Sequence, residues 1–133
     1  MITAVDTNVL LDVFRNDPVH CHASSEALRK CMKEGALVVC EIVWAELAAV
    51  FNNSEGFSQA MTSLGIRFSS VEPDAAETAG ILWSHYRMSA GKRSRVIADF
   101  IIAAHAMEQC DRLLSRDRGF YRHYFKQLEL LEP

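Results

Sequence analysis

A three-layer α/β/α sandwich, with a parallel sheet of four to five strands, is the fold this sequence predicts, and three observations predict it. Short β-rich runs alternate with helical patterns from one end of the chain to the other. That alternation marks βαβ units, whose helices cover both faces of a parallel sheet. Residues that break regular structure fall at the joints between those segments: Gly35, Asn52 with Asn53, Gly65 and Pro73. The length of 133 residues suits one domain, 1–133, large enough to bury a core without covalent staples.

The elements follow in order. ITAV is a first strand ending at Asp6. A helix runs from Thr7 or Asn8 through Phe14, and either residue suits its cap. Ala23 to Lys33 reads as a helix stopped by Gly35. Ala36 to Cys40 is a second, buried strand. Glu41 to about Phe51 is helical until Asn52, Asn53 and Ser54 break it. Glu55 to Leu64 is a short helix closed by Gly65, and Ile66 to Val71 a third strand. Pro73 fits the first position of a helix reaching about Ser89. The loop SAGKRSR precedes a strongly apolar helix, Val96 to Gln109. Arg112 to Ser115 is a fourth strand and Leu128 to Leu131 a fifth.

Bulk properties exclude several classes. No apolar run approaches the roughly 18 residues that span a bilayer. The opening MITAVDTNVLLDVF carries Asp6 and Asp12 inside its apolar stretch and lacks a basic start, so it does not read as a signal peptide, and the cytoplasm is the expected compartment. The cysteines at 21, 31, 40 and 110 have no C-x-x-C spacing. They therefore read as small hydrophobes rather than a zinc ribbon or a redox pair. The net charge of −3 is unevenly spread: residues 1–86 hold 5 basic and 11 acidic side chains, whereas 87–126 hold 9 basic and 4 acidic. A local basic stretch attracts phosphate even on an acidic protein. Lys92, Arg93, Arg95, Arg116 and Arg118 are the residues expected to meet a phosphate-bearing partner, which the resemblance described below implies is RNA.

The chemistry lies in four acids set in apolar surroundings: Asp6, Glu46, Asp99 and Asp117. An ionised carboxylate out of water needs a cation or hydrogen-bond donors. In a parallel sheet all strands end at one edge and all crossover helices begin there. Asp6 and Asp117 follow strands, Glu46 lies in the second turn of a helix, and Asp99 lies near the start of another. All four therefore belong at the carboxyl edge, where open α/β folds bind ligands. Gathered acids repel one another unless protonated or bridged by a cation. Oxygen donors alone suit Mg²⁺ or Mn²⁺ better than zinc.

The order and context of these acids resemble the PIN-domain family, specifically VapC-type toxins. AVDTNVLLDVF resembles its first motif, VWAEL its second, ADFIIAAHA its third, and LLSRDRGFYRHYF followed by LELLEP its C-terminal motif. The resemblance spans the chain, except that residues 52–71 follow none of the family's patterns. It implies a sheet order of 3-2-1-4-5 and a Mg²⁺- or Mn²⁺-dependent endoribonuclease using one or two ions. It also implies products with 5′-phosphate and 3′-hydroxyl ends, a tRNA or rRNA substrate, inhibition of translation, a homodimer and a cognate antitoxin. Asp6 and Asp99 are then the first-choice metal ligands, with Glu46 and Asp117 completing the catalytic site directly or through water. An antitoxin arginine beside Asp6 and Asp99 would suit such a cleft.

Other residues carry weaker signals. Two roles are open to Thr7 and Asn8: orienting water beside the site, or capping the helix. Ser115 precedes Asp117 by two residues and belongs beside the site. Glu41 lies about 140° around the helix from Glu46 and suits the helix dipole instead. His105 reads as a hydrogen-bonded interior residue, and Trp44, Trp83, Phe51 and Tyr86 as core or dimer surface. His20, Cys21 and His22 point in different directions and lack a remote partner pair. A haloacid-dehalogenase-like phosphatase would want a second aspartate where Asn8 stands. A PIN module that only binds RNA or protein would not need all four acids, and an RNA-processing nuclease without an antitoxin is the third rival.

Overall fold

A computed structural model of the chain describes residues 1–89 and 95–133; Lys92 and Arg93 lie outside the described residues. Five strands form one parallel sheet: β1 (Ile2–Val5), β2 (Ala36–Val39), β3 (Ile66–Phe68), β4 (Arg112–Leu114) and β5 (Leu130–Leu131). Their order is β3-β2-β1-β4-β5, as expected. Parallel strands need long crossovers. These are supplied by α1 (Thr7–Phe14) with α2 (Cys21–Glu34), by α3 (Glu41–Ala48) with α4 (Ser54–Ser63), and by α5 (Pro73–Met88) with α6 (Ile97–Gln109). The short α7 (Arg118–Tyr124) joins β4 to β5.

The three central strands read as apolar runs because both faces are covered: Ala4, Val5, Leu37, Val39, Leu113 and Leu114 are at most 2% exposed. Against them pack Val9 and Leu10 of α1, Leu28 of α2, Val43 and Leu47 of α3 and Phe100 of α6. Small residues, Ala75 and Ala79 on α5 with Ala103, Ala104 and Ala106 on α6, are completely buried, which lets these two helices lie close together. Gly35 closes α2 where nothing larger fits: a Cβ there would stand 1.8 Å from the Met1 carbonyl oxygen. Gly65 ends the α4 crossover with φ +64, the left-handed conformation that glycine adopts at least cost.

Three local expectations are corrected. The cap of α1 is Asp6, whose side chain accepts from the Thr7 N–H, and neither Thr7 nor Asn8 takes that role. The helix expected to reach Phe51 ends at Ala48, and Asn53 caps α4 by accepting the Gly56 N–H at 2.7 Å. β3 stops at Phe68, three residues early, because Ser70 and Val71 leave the ladder to donate to Glu41 at 2.7 and 2.9 Å. Glu41 therefore ties α3 to the start of the α5 crossover. Among the described residues, no helix is long and apolar enough to cross a membrane.

Candidate functional site

β1 and β4 are neighbours whose following connections leave in opposite directions, β1 toward β2 and β4 toward β5. Such a switch point opens a crevice at the carboxyl edge. Val5 pairs with Leu114 in register, so Asp6 emerges at the level of Ser115, its N–H donating to the Leu114 carbonyl at 2.9 Å.

Asp6 is only 6% exposed. Oδ1 accepts the Thr7 N–H at 2.8 Å. Oδ2 accepts the Ser115 hydroxyl at 2.8 Å, the Tyr121 hydroxyl at 2.9 Å and the Asn8 amide at 3.3 Å. Among the described residues no basic side chain pairs with it. Burial pushes its pKa above the ordinary aspartate value, and the nearby charge of Glu46 adds to that push. The donors Ser115, Tyr121 and Thr7 oppose it. The Tyr121 phenol is held firmly protonated by burial and by the charges of Asp6, Asp99 and Asp117. Tyr121 thus stands within the field of three of the four acids.

The other three acids are held differently. Glu46 is exposed and accepts the Thr7 hydroxyl at 2.9 Å. Asp99 is half-buried in the first turn of α6, where Oδ2 accepts the Val96 N–H at 3.2 Å. Asp117 is gripped by both terminal nitrogens of Arg95, with the Nη2–Oδ1 contact at 3.1 Å, and its N–H donates to Ser115 Oγ at 3.0 Å. The Arg95 guanidinium lies 4.4 Å from the centre of the Phe120 ring. Topology therefore brings the acids to one edge. As they stand, however, no three carboxylate, imidazole or thiol side chains among the described residues form a ready metal nest.

A family model described as PIN domain matches residues 3–126. The chain belongs to the PIN-domain family. Solved structures of similar fold bear this PIN architecture out. VapBC2 from Rickettsia felis, bound to a DNA fragment from its promoter, superposes with a TM-score of 0.75 at 17% identity, covering 99% of this chain and 98% of that one. VapBC-1 from nontypeable Haemophilus influenzae gives 0.74 at 19% identity over the same shares. Mycobacterium tuberculosis VapC20, described as a sarcin-ricin loop cleaving toxin, gives 0.60 at 13% identity, covering 95% of this chain and 98% of that one. A search of the curated proteins finds no match.

Within this PIN domain, three of the basic residues expected to meet RNA, Arg95, Arg116 and Arg118, are engaged in pairs. Arg95 holds Asp117. Arg116 donates from Nε and Nη2 to Asp12 at 2.7 and 3.0 Å, and Arg118 reaches Glu132 at 2.6 Å. Each of these three arginines is thus paired with a carboxylate of the domain itself. Arg112, from the same basic stretch, is buried at the opposite edge against Thr3 and Glu34, at 2.9 and 2.6 Å.

Two supports of the site escaped the sequence reading. Asp12 is 4% exposed, accepts Ser24 Oγ at 2.7 Å, and anchors Arg116. The available signal was its spacing: Asn8 and Asp12 are four residues apart on one helix face, and Asn8 Oδ1 accepts the Arg116 N–H at 3.2 Å. Tyr121 is the second, in a helix the sequence did not reveal. His105 is where the apolar pattern places it, 1% exposed, with Nε2 2.9 Å from Ser69 Oγ and its pKa lowered by burial.

Proposed function

We propose that this PIN domain is a divalent-metal-dependent endoribonuclease acting as the toxin of a toxin–antitoxin pair in the cytoplasm. The observation that carries the reading is Asp6: a nearly buried carboxylate at the switch point, held by four neutral donors, beside Glu46, and in no ion pair among the described residues. The donor chemistry fits Mg²⁺ or Mn²⁺, since every acid on this edge offers oxygen. The Arg95 guanidinium on Asp117 is a positive charge already held at this edge, which an ion bound directly by Asp117 would displace. Asp6 and Asp99 would hold one or two ions, with Glu46 and Asp117 contributing directly or through water. A bound ion of this kind supplies Lewis-acid activation of water and charge stabilisation at the phosphodiester.

The chain's own residues set the stage for that chemistry. Ser115, Asn8 and Tyr121 orient Asp6, and the Thr7 hydroxyl orients Glu46. No side chain is required as a nucleophile. The similar folds of VapBC complexes support an antitoxin partner, and the similar fold of a sarcin-ricin loop cleaving toxin supports structured RNA as substrate. A homodimer accompanies this reading.

The test is cleavage of a tRNA and rRNA panel by purified protein, with Mg²⁺, with Mn²⁺ and with excess chelator. Activity should vanish in chelator and fall at least 100-fold in Asp6→Asn and Asp99→Asn, on the order of the larger losses seen when a metal site is disturbed. Undiminished cleavage in chelator would overturn the reading.

A further inference from the structure

The two oxygens of Asp6 are unequally occupied. Among the described residues, Oδ2 receives Ser115, Tyr121 and Asn8, at 2.8, 2.9 and 3.3 Å, whereas Oδ1 receives only the Thr7 N–H at 2.8 Å. A carboxylate oxygen has two lone pairs. Oδ2 is therefore saturated, and Oδ1 keeps one open.

We propose that Tyr121 is a positioning residue that fixes Asp6 as a single-oxygen ligand, so that Oδ1 alone is offered to a divalent cation. The inference rests on the metal-dependent reading above and adds the means by which the first carboxylate is aimed. Of the three donors on Oδ2, Tyr121 is the one whose side chain is anchored by aromatic packing. Its ring is 1% exposed and packs against Phe120 and Phe125, with centroids 5.1 and 6.3 Å away. The core therefore decides where the hydroxyl stands. The other two donors are shared. Ser115 Oγ also accepts from the Asp117 N–H at 3.0 Å, and the Asn8 amide is divided between Asp6 and Ser115 at 3.3 and 3.4 Å. Without the phenol, Oδ2 regains a lone pair and the carboxylate regains freedom to turn. Partners that orient a metal's ligands are worth 10- to 100-fold in affinity or activity as a rule, roughly.

Tyr121→Phe keeps the ring and removes the hydroxyl. The experiment titrates Mn²⁺ into metal-free protein by electron paramagnetic resonance and calorimetry, for wild type, Tyr121→Phe, Phe125→Leu and Asp6→Asn. Tyr121→Phe should bind Mn²⁺ about tenfold more weakly. At saturating Mn²⁺ its kcat should return to within about twofold of wild type, with KM for RNA unchanged, because the loss lies in ligand orientation and excess ion overcomes it. Phe125→Leu loosens the same aromatic packing but keeps the phenol, so it should lower the melting temperature while weakening Mn²⁺ binding clearly less than Tyr121→Phe does. Wild-type Mn²⁺ affinity in Tyr121→Phe, alongside loss of binding in Asp6→Asn, would overturn the assignment to Tyr121 and spare the metal site. Equal weakening in Phe125→Leu would overturn it too, by reducing the effect to packing. Wild-type Mn²⁺ affinity in Asp6→Asn would overturn the metal reading and this inference together.

Discussion

Arg116→Ala separates a structural brace from an RNA contact. Asp12 is 4% exposed and depends on two partners, Ser24 and the Arg116 guanidinium, which supplies two of its hydrogen bonds. Removing one member of a fully buried pair costs about 3–5 kcal/mol, because a charge is left without its counter-ion. The Arg116 side chain is 33% exposed, so water can enter where it was, and the Ser24 bond remains. The cost should therefore fall to about 2–3 kcal/mol, below the fully buried range. For a chain of this length the unfolding entropy is roughly 0.28 kcal/mol/K, so the melting temperature should drop by about 7–11 °C. Arg118→Ala is the internal control. Its pair with Glu132 is 49% and 41% exposed at the two side chains, and the loss should stay under about 1 kcal/mol. The assay is urea and thermal unfolding of both variants and of Asp12→Ala, with the double mutant closing a cycle. A coupling near zero, together with lost RNA affinity in Arg116→Ala, would refute the brace and return Arg116 to the substrate.

The remaining predictions concern pH and salt. His105 is buried with its pKa below the free value of 6.5, so the unfolded chain takes up the proton first as pH falls. Stability from neutral His105 is full above about 6.5 and is lost as pH drops from there toward the folded value. Urea midpoints measured between pH 7 and 5 should thus fall more steeply for wild type than for His105→Gln; parallel curves would count against it. Because Arg95, Arg116 and Arg118 are already paired, Lys92 and Arg93 remain of the five basic residues expected to meet RNA. Lys92→Ala with Arg93→Ala should weaken binding of single-stranded RNA and flatten the log–log salt slope by about 1.4, two phosphates' worth. An unchanged slope would move RNA recognition away from Lys92 and Arg93.

Much of this molecule is written in short-range pattern. ITAV, ALVVC and RLLS are apolar runs bounded by breakers, which a sheet buried on both faces demands, and β1, β2 and β4 are found there. Once a parallel sheet is inferred, chain direction alone sends Asp6, Glu46, Asp99 and Asp117 to one edge, because each follows a strand or lies in the first two turns of a crossover helix. Tertiary structure decided what each charge meets there. Arg116 finds Asp12 across 104 residues and Tyr121 finds Asp6 across 115, and neither distance leaves a trace in local periodicity. Arg95 and Asp117 are closer in sequence, yet nothing local predicts that the guanidinium folds onto that carboxylate rather than standing free for phosphate. The helix carrying Tyr121 has only seven residues, with Gly119 and three aromatics among them. So short and weak a helix former holds its shape through tertiary burial of Phe120 and Tyr121, not through propensity. Local sequence determined which residues reach the edge. The register of β1 against β4, and the docking of α7 on the core, decided which of them hold one another.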